Sequence, residues 1–352
     1  MRPGNSNRES GVVLIAVLWV LVILILFVAG IGRRGQVHTS LAKYAVGQVR
    51  AKYIALSGVN YAAGLILKDN ADEQSATFDT LYQCGFMLKE GATVAQLFKS
   101  IPVSGGHFDI VTSWQRKDGQ IVYGMSDEDG RLNLNSVTGA NYQILKSLIM
   151  EFDVSEDTAE TIAASVVDWV DSDHNVVKES FGNEETDAGG EQAPVKNFAF
   201  QNLKELLLVK GMTPEIFEAV KEYVTVYPWA GTMAFNLDTA SPVILKSLAR
   251  SFTGRQTNTD VPDADALVRK IISYRAGTDG IEGNSDDRVI EQNDLNLNTR
   301  EIAIMQQMES FRVKTSEFLR FGVRGFDEES GAVFKAEVIV SRGGKIMYWH
   351  RK

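Results

Sequence analysis

The chain has 352 residues, 44% apolar and 23% charged, a globular composition that excludes a disordered tail, a collagen-like repeat and a low-complexity chain. One cysteine, Cys84, excludes an intramolecular disulfide and a cysteine-rich zinc site, and the four histidines form no HxxxH or HExxH pair. The net charge of −9 argues against a surface built for nucleic acid or anionic lipid, and it is uneven: thirteen of the 45 acids, with Lys178 as the single base, fall in residues 151–191.

Residues 1–11, MRPGNSNRESG, are a polar, basic leader. Residues 12–32, VVLIAVLWVLVILILFVAGIG, carry no charge and are long enough to span a hydrocarbon core of roughly 30 Å. No A-x-A cleavage site follows, so the run reads as a single-pass anchor rather than a removed signal. Arg2 and Arg8 favour a cytoplasmic N-terminus, and Arg33 and Arg34 on the far side weaken that preference. From Tyr44 to Ile66 apolar residues recur mostly at three- and four-residue steps. The anchor is therefore predicted to continue as one helix to about Lys68, half in lipid and half packed on a soluble domain.

Residues 69–104 read as loop with one short helix. HFDIVTSW (107–114) and QIVYGM (120–125) then alternate as strands across the turn RKDG. Three more strands are predicted at the C-terminus: EFLRFGVRGF (317–326), AVFKAEVIVSR (332–342) and KIMYWHR (345–351). The long middle reads as helix and contains an internal repeat. NSVTGANYQILKSL (135–148) resembles NLDTASPVILKSL (236–248), with Thr138 matching Thr239 and ILKSL matching ILKSL. In each copy Asn/Asp and Ser/Thr stand where helix N-caps belong. A second helix follows in each, AETIAASVVDWVD (159–171) and DALVRKIISYR (265–275), and an acidic loop follows that. Between the copies, residues 200–227 read as another helix pair turning at Lys210-Gly211-Met212.

The tracts DEDGRLNLNS (127–136), VVDWVDSD (166–173), GNEE (182–185), ELLLVKGMT (205–213) and FNLDTAS (235–241) resemble the K-type minor pseudopilins of bacterial type II secretion. The leader supports this, because its abrupt end at Gly11 before Val12 is similar to the signal of type IV pilins and pseudopilins. The resemblance implies cleavage after Gly11 by a prepilin peptidase and methylation of Val12. It implies an α+β fold: a long N-terminal transmembrane helix on a small antiparallel sheet, with a large inserted helical domain of helix-hairpin-helix-like repeats. The expected divisions are leader 1–11, transmembrane segment 12–32, pseudopilin domain 33–125 and 301–352, and inserted domain 126–300. Most of that class carries Glu as the fifth mature residue, where it neutralises the terminal ammonium of the next subunit. Here that position is Ala16, as in the K type, which suits a subunit with none above it. The implied role is a cap at the tip of a periplasmic pseudopilus that helps start its assembly. The implied partners are I-type and J-type minor pseudopilins, the peptidase, the inner membrane and secreted proteins. The implied place is the bacterial inner membrane, single pass, with the C-terminal domain in the periplasm.

Two acidic loops are candidate cation sites. Asp171-x-Asp173-x-Asn175 opens like an EF-hand, with Glu179 at the ninth position, but Val176 replaces the turn glycine and Gly182 the bidentate Glu. A true EF-hand is not expected. Asp168, one helical turn earlier, and Glu184 and Glu185 complete a candidate set of hard oxygens. The second loop, 277–288, gathers Asp279, Asn284, Asp286 and Asp287 around Gly280 and Gly283, with Glu282 adding to the repulsion. The resemblance implies structural calcium in this helical domain, with two ions expected.

No GxSxG, Walker lysine loop or SxxK motif is present, so an enzyme is not expected. Cys84 reads as a buried, idle thiol, and Trp169 and Trp229 as packing residues. The rival functions are a membrane-anchored helix-hairpin-helix receptor for DNA uptake and a type IV pilus minor pilin. The turn at Gly211 has one glycine, and the 200–227 lysines are balanced by glutamates, so a phosphate-binding hairpin is not expected.

Overall fold

The computed structural model describes residues 7–88, 92–113, 121–172, 175–178, 196–254 and 258–352. Helix α1 runs Asn7–Asn70, 64 residues, as predicted but longer, and spans about 96 Å at 1.5 Å per residue. Val13–Ile31 is the one stretch among the described residues long and apolar enough to cross a membrane. Farther along, the face turned to the sheet is Ala51, Ile54, Ala55, Val59, Ala62 and Ile66. The larger residues Tyr44, Val46, Val49 and Tyr53, expected to pack, are more than half exposed. Tyr44 and Val46 precede Gly47, the first buried residue among the described residues of α1, and Val49 and Tyr53 lie on the side of the helix away from Ala51 and Ala55. The packing itself is close. Gly58 lies against Val323 and Phe108, and Gly325 on the facing strand lies so close to the helix that a Cβ would collide with the backbone of Ala51 and Ala55. Small residues sit at the points of closest approach, with Ile54, Val59 and Ile66 packed around them.

A 3₁₀ turn (Ser75–Thr77) and α2 (Val94–Phe98) lead into the strands β1 (Ile101–Val103), β2 (Gly106–Ser113), β3 (Val122–Tyr123), β4 (Ser126–Asp127) and β5 (Leu132–Asn133). The middle contains α3 (Tyr142–Met150), α4 (Glu156–Val170), a 3₁₀ helix (Leu203–Leu208), α5 (Pro214–Val220), β6 (Val224–Thr225), β7 (Phe235–Asn236), α6 (Pro242–Ser251), α7 (Val261–Arg275) and α8 (Thr299–Glu309). The chain ends in β8 (Arg312–Val313), β9 (Phe318–Asp327), β10 (Val333–Ser341) and β11 (Ile346–Arg351). The main sheet is antiparallel in the order β1-β2-β9-β10-β11, with β3 beside β2 and β4 beside β9.

The alternation of β10 divides the molecule. Phe334, Ala336, Val338 and Val340 join the core under α1, while Ile339 points the other way and joins the helical core. That second core takes in α3, α4, α6, α7 and α8, with Ile304, Met305 and Met308 carrying it past residue 300.

The helical part departs from expectation at three places. Residues 203–208 form a 3₁₀ helix rather than an α-helix, because Leu206 and Val209 face inward at a spacing of three while Leu207 and Leu208 stay outside. Two parallel two-residue pairs, β5 with β6 and β7 with β8, were not expected. Ser241 caps α6 as predicted, but Asn141 does not cap α3; its Oδ1 accepts instead from the Thr138 N–H.

The tight contact between α1 and β9 gives a direct test. Gly325→Ala should lower stability by about 1–3 kcal/mol, because the added methyl meets backbone that cannot move aside. Gly64→Ala, on an open helix face, should be neutral or raise stability by up to about 1 kcal/mol. Urea melts of the full chain in detergent should rank the two this way, and equal midpoints would mean that the helix and sheet are not so closely opposed.

Candidate functional site

The tract 127–136 leaves the sheet and enters the helical part, and most of its polar residues are buried, with Asp129 and Arg131 half-buried. Asp127 accepts from the Gly130 N–H at 2.9 Å, from Asn236 Nδ2 at 2.8 Å and from Thr239 Oγ1 at 2.8 Å. It thereby clasps the second tract, FNLDTAS. Burial pushes its carboxyl up to about 8 despite those donors. Beside it, Glu128 is fully buried and receives Arg320 Nε at 2.6 Å and Nη2 at 2.9 Å, with Arg131 at 3.3 Å and the Thr225 hydroxyl also on it. Burial alone would raise this carboxyl. The two guanidinium groups outweigh burial and hold it down at about 2. Arg320 reaches on to Glu337 at 3.0 Å on β10.

The asparagines of both tracts bracket backbone. Asn135 Nδ2 donates to the carbonyls of Phe200 and Val226, and its Oδ1 accepts from the Phe200 N–H. Asn133 Oδ1 accepts from the Asn135 N–H, and Asn236 Oδ1 likewise from the Asp238 N–H. Ser136 Oγ returns to the Asn133 carbonyl as Thr239 Oγ1 does to that of Asn236. The structural partner of Thr239 is therefore Ser136 and not Thr138. The two copies share an Asx turn at their start and differ by an insertion before the ILKSL helices.

Of the first-loop candidates, Asp168 and Asp171 are described; Asp173, Glu179, Glu184 and Glu185 lie outside the described residues. Asp168 is fully buried at the end of α4 and accepts from the Val177 N–H at 2.9 Å, which folds the chain back over the helix. Asp171 is the C-cap of α4, half-buried beside it. Lys178 pairs with Glu160, which also holds Lys146 at 2.7 Å and the Tyr142 hydroxyl at 2.8 Å. Trp169 stacks on Phe200 as a packing residue, whereas Trp229, expected to pack, is half exposed. It lies past β6 in irregular chain, with its ring tilted against Tyr227 at 5.8 Å.

The second loop is described throughout. Asp286 Oδ2 accepts from the Thr278 N–H at 2.6 Å and from its hydroxyl at 2.7 Å. Asp287 accepts from the Gly283 N–H at 2.9 Å, and Asp279 Oδ2 from Asn284 Nδ2 at 2.9 Å. Gly277, at φ +68°, is the point where a Cβ would collide with Asp286. The donor set is all oxygen once Asn284 turns its carbonyl inward, which fits a hard cation. The loop is fixed to the core by Arg275, buried and bonded to the carbonyls of Leu237 at 2.9 Å and Ala240 at 2.7 Å, with its Nε on Glu282.

Sequence reasoning missed one cluster. Asp79, Cys84 and Asp127, all buried, bring potential ligand atoms within 4.8 Å of one another. Arg342 bridges Asp79 and Asp69, so this cluster already holds its own cation. Burial raises the Cys84 thiol well above its ordinary range. Nothing in the local sequence marks these three as neighbours. Gly11 and Val12 lie within α1, and their side chains are outside the description.

A family model described as Type II secretion system (T2SS), protein K matches residues 130–229. The chain is 23% identical over 329 residues to Type II secretion system protein K of Pectobacterium carotovorum subsp. carotovorum, covering 92% of each chain. It is 21% identical over 283 residues to Type II secretion system protein K of Klebsiella pneumoniae, covering 78% of this chain and 77% of that one. Among solved structures it resembles a chain of the GspK-GspI-GspJ complex of the enterotoxigenic Escherichia coli type 2 secretion system. The TM-score is 0.59 at 17% identity, over 86% of this chain and 96% of that one.

The Glu128 pair predicts an acid-sensitive join between sheet and helices. With its folded-state pKa at about 2 and its ordinary value at 4.5, its contribution is full above about pH 4.5 and is lost as pH falls toward 2. Glu128→Gln should cost up to about 3–5 kcal/mol at pH 7, because it removes the bidentate charge partner of half-buried Arg320 and leaves it Glu337 alone. The cost should shrink below pH 4, as read from urea melts across pH. A variant that melts like the parent at pH 7 would refute the pair's role.

Proposed function

We propose that this chain, a relative of protein K of type II secretion systems by its tracts, its curated relatives and its fold, is the minor pseudopilin that caps the tip of the pseudopilus. The observation that carries the reading is the division of the sheet. One face is taken by α1, and the other by a helical domain too bulky to repeat along a shaft. Farther up α1, Val46, Val49 and Tyr53 form an exposed apolar stripe, which suits packing against the helices of other subunits. Ala16 offers no carboxylate to the terminal ammonium of a subunit above, and an unpaired ammonium in lipid is costly. By analogy with the GspK-GspI-GspJ complex, the stripe would meet I-type and J-type minor pseudopilins.

The same reading places Val13–Ile31 in the bacterial inner membrane, with the leader in the cytoplasm and the remainder in the periplasm. A prepilin peptidase would cut between Gly11 and Val12, and the new terminus would be methylated. The function is assembly of the filament and, through it, export of proteins rather than catalysis.

Two structural calcium ions are part of the proposal. Asp168 and Asp171, with Asp173, Glu179, Glu184 and Glu185, would hold one; Asp279, Asn284, Asp286 and Asp287 would hold the other. Calcium takes six to eight oxygen ligands and tolerates irregular loops, and millimolar-range affinity suffices outside the cytoplasm. Each ion would relieve repulsion among carboxylates that folding draws together.

Two outcomes test this. Tip complexes extracted from membranes should contain a single copy of this chain, beginning at Val12 by intact mass, with the I-type and J-type partners cross-linked to its Val46–Tyr53 stripe. A chain that begins at Met1, or that labels along the whole filament, contradicts the assignment. Separately, calcium should raise the melting temperature relative to chelator, by about 2.7 kcal/mol of stability when free ion is 100-fold above the dissociation constant. Magnesium should substitute poorly. Asp171→Ala should remove part of the shift, and Asp286→Ala with Asp287→Ala another part. Equal melting in calcium and chelator would show the loops to be acidic surface only.

A further inference from the structure

Helix α1 is basic beyond its apolar stretch. Between Glu9 and Asp69 the chain has no acidic residue, and it has the bases Arg33, Arg34, Lys43, Arg50, Lys52 and Lys68. In a chain of net charge −9 this helix is the exception. The bases divide by what answers them. Arg50 pairs with Glu329 in the turn between β9 and β10. In the same turn the Ser330 hydroxyl, and after it Arg50 and Lys43, hold the Asp327 carboxyl below its ordinary range. Arg33 is exposed, and among the described residues no acid pairs with it.

Distance explains the difference. The β9–β10 turn meets α1 at Gly47, beside Ser330. At 1.5 Å per residue that is about 24 Å beyond Ile31, where the apolar stretch ends. Positions 33 and 34 are only about 3–5 Å beyond Ile31, too far from the acids of the turn for an arginine side chain to bridge. The headgroup layer on each side of a bilayer is about 5–8 Å thick. With Val13–Ile31 across the hydrocarbon, positions 33 and 34 therefore lie at headgroup depth, where the nearest anions are phosphates. Arginine presents a planar fork that matches phosphate bidentately. A zwitterionic lipid carries its own ammonium beside the phosphate, whereas an anionic lipid leaves the phosphate to the arginine. On this side of the anchor Arg33 and Arg34 also oppose the orientation that Arg2 and Arg8 favour, a cost that a headgroup contact offsets.

We propose that Arg33 and Arg34 bind the headgroup phosphate of an anionic phospholipid and so keep a net-negative lipid beside the anchor. This rests on the reading of Val13–Ile31 as a span and adds the class of lipid the span takes. The ligand is lipid rather than a carboxylate of another subunit, because headgroup phosphates surround the helix at this depth whether or not a subunit is present.

The full chain in detergent is given equal amounts of phosphatidylglycerol and phosphatidylcholine, and bound lipid is counted by native mass spectrometry. Phosphatidylglycerol should be preferred. Arg33→Gln and Arg34→Gln should each lower the preference about fivefold, the gain expected of one base at an anionic surface, and the double variant should abolish it. Lys52→Gln, about 32 Å beyond Ile31, should leave it unchanged, and millimolar inorganic phosphate should not displace the lipid. Equal binding of the two lipids by the parent overturns the proposal. So does a loss in Lys52→Gln equal to that in Arg33→Gln, which would mean general charge attraction, and so does displacement by inorganic phosphate. A double variant that keeps its lipid and loses the I-type and J-type partners on co-extraction also overturns it, since the arginines would then serve a protein contact. The span is checked apart. Release of the chain from membranes by alkaline carbonate overturns the anchor and the lipid site together, and retention without a lipid preference overturns the lipid site alone.

Discussion

Two adjacent carboxylates, Asp127 and Glu128, must be buried where the chain leaves the sheet, and much of the architecture follows from how each is satisfied. Glu128 receives two arginines, one from its own tract and one from β9. Asp127 receives the Asn236 amide and the Thr239 hydroxyl from the second copy of the repeat. The backbone agrees, with the Glu128 N–H on the Phe318 carbonyl and the Asn236 N–H on the Asp129 carbonyl. A buried charge left unpaired is costly, and so is a buried polar group left without a hydrogen bond, so sheet, first copy and second copy are held together at this point.

With that junction fixed, the sheet can serve two partners. Alternation along β10 sends one set of side chains under α1 and leaves Ile339 for the helical core. The helical part is itself two related hairpins, α3–α4 and α6–α7, with α3 packed on α6. Each copy begins with the same Asx turn, and the second ends in the 277–288 loop, none of whose carboxylates is buried. Arg275 ties that loop to the core, with its guanidinium buried and its Nε on Glu282. In the first copy, Asp168 ties down the chain beyond the end of α4.

The long helix follows a different rule. Val13–Ile31 is exposed and apolar all round, and the last part of the helix meets the sheet with alanine and glycine at the closest approach. Close approach of helix and strand backbones permits nothing larger at Gly58 and Gly325. Val49 and Tyr53 are on the outer face, while Ile54, Val59 and Ile66 fill the inner one around the glycines.

Much of this was legible in the sequence because the signals are local. A run without charge, apolar steps of three and four, and strict alternation each state a burial pattern within a few residues, so α1, the hairpins α3–α4 and α6–α7 and strands β2, β9, β10 and β11 were foreseen to within a few positions. The acidic loops were legible from composition alone. Only the tertiary structure decided the rest. The 3₁₀ form of 203–208, the pairs β5–β6 and β7–β8, the equivalence of Ser136 with Thr239, and the meeting of Asp79, Cys84 and Asp127 all depend on partners far away in the chain. Which face of α1 is buried was also settled there, because periodicity marks an apolar stripe without saying whether it meets its own sheet or another subunit. A two-residue strand or a buried carboxylate has no period to display, and its partner is fixed only when the whole chain has closed around it.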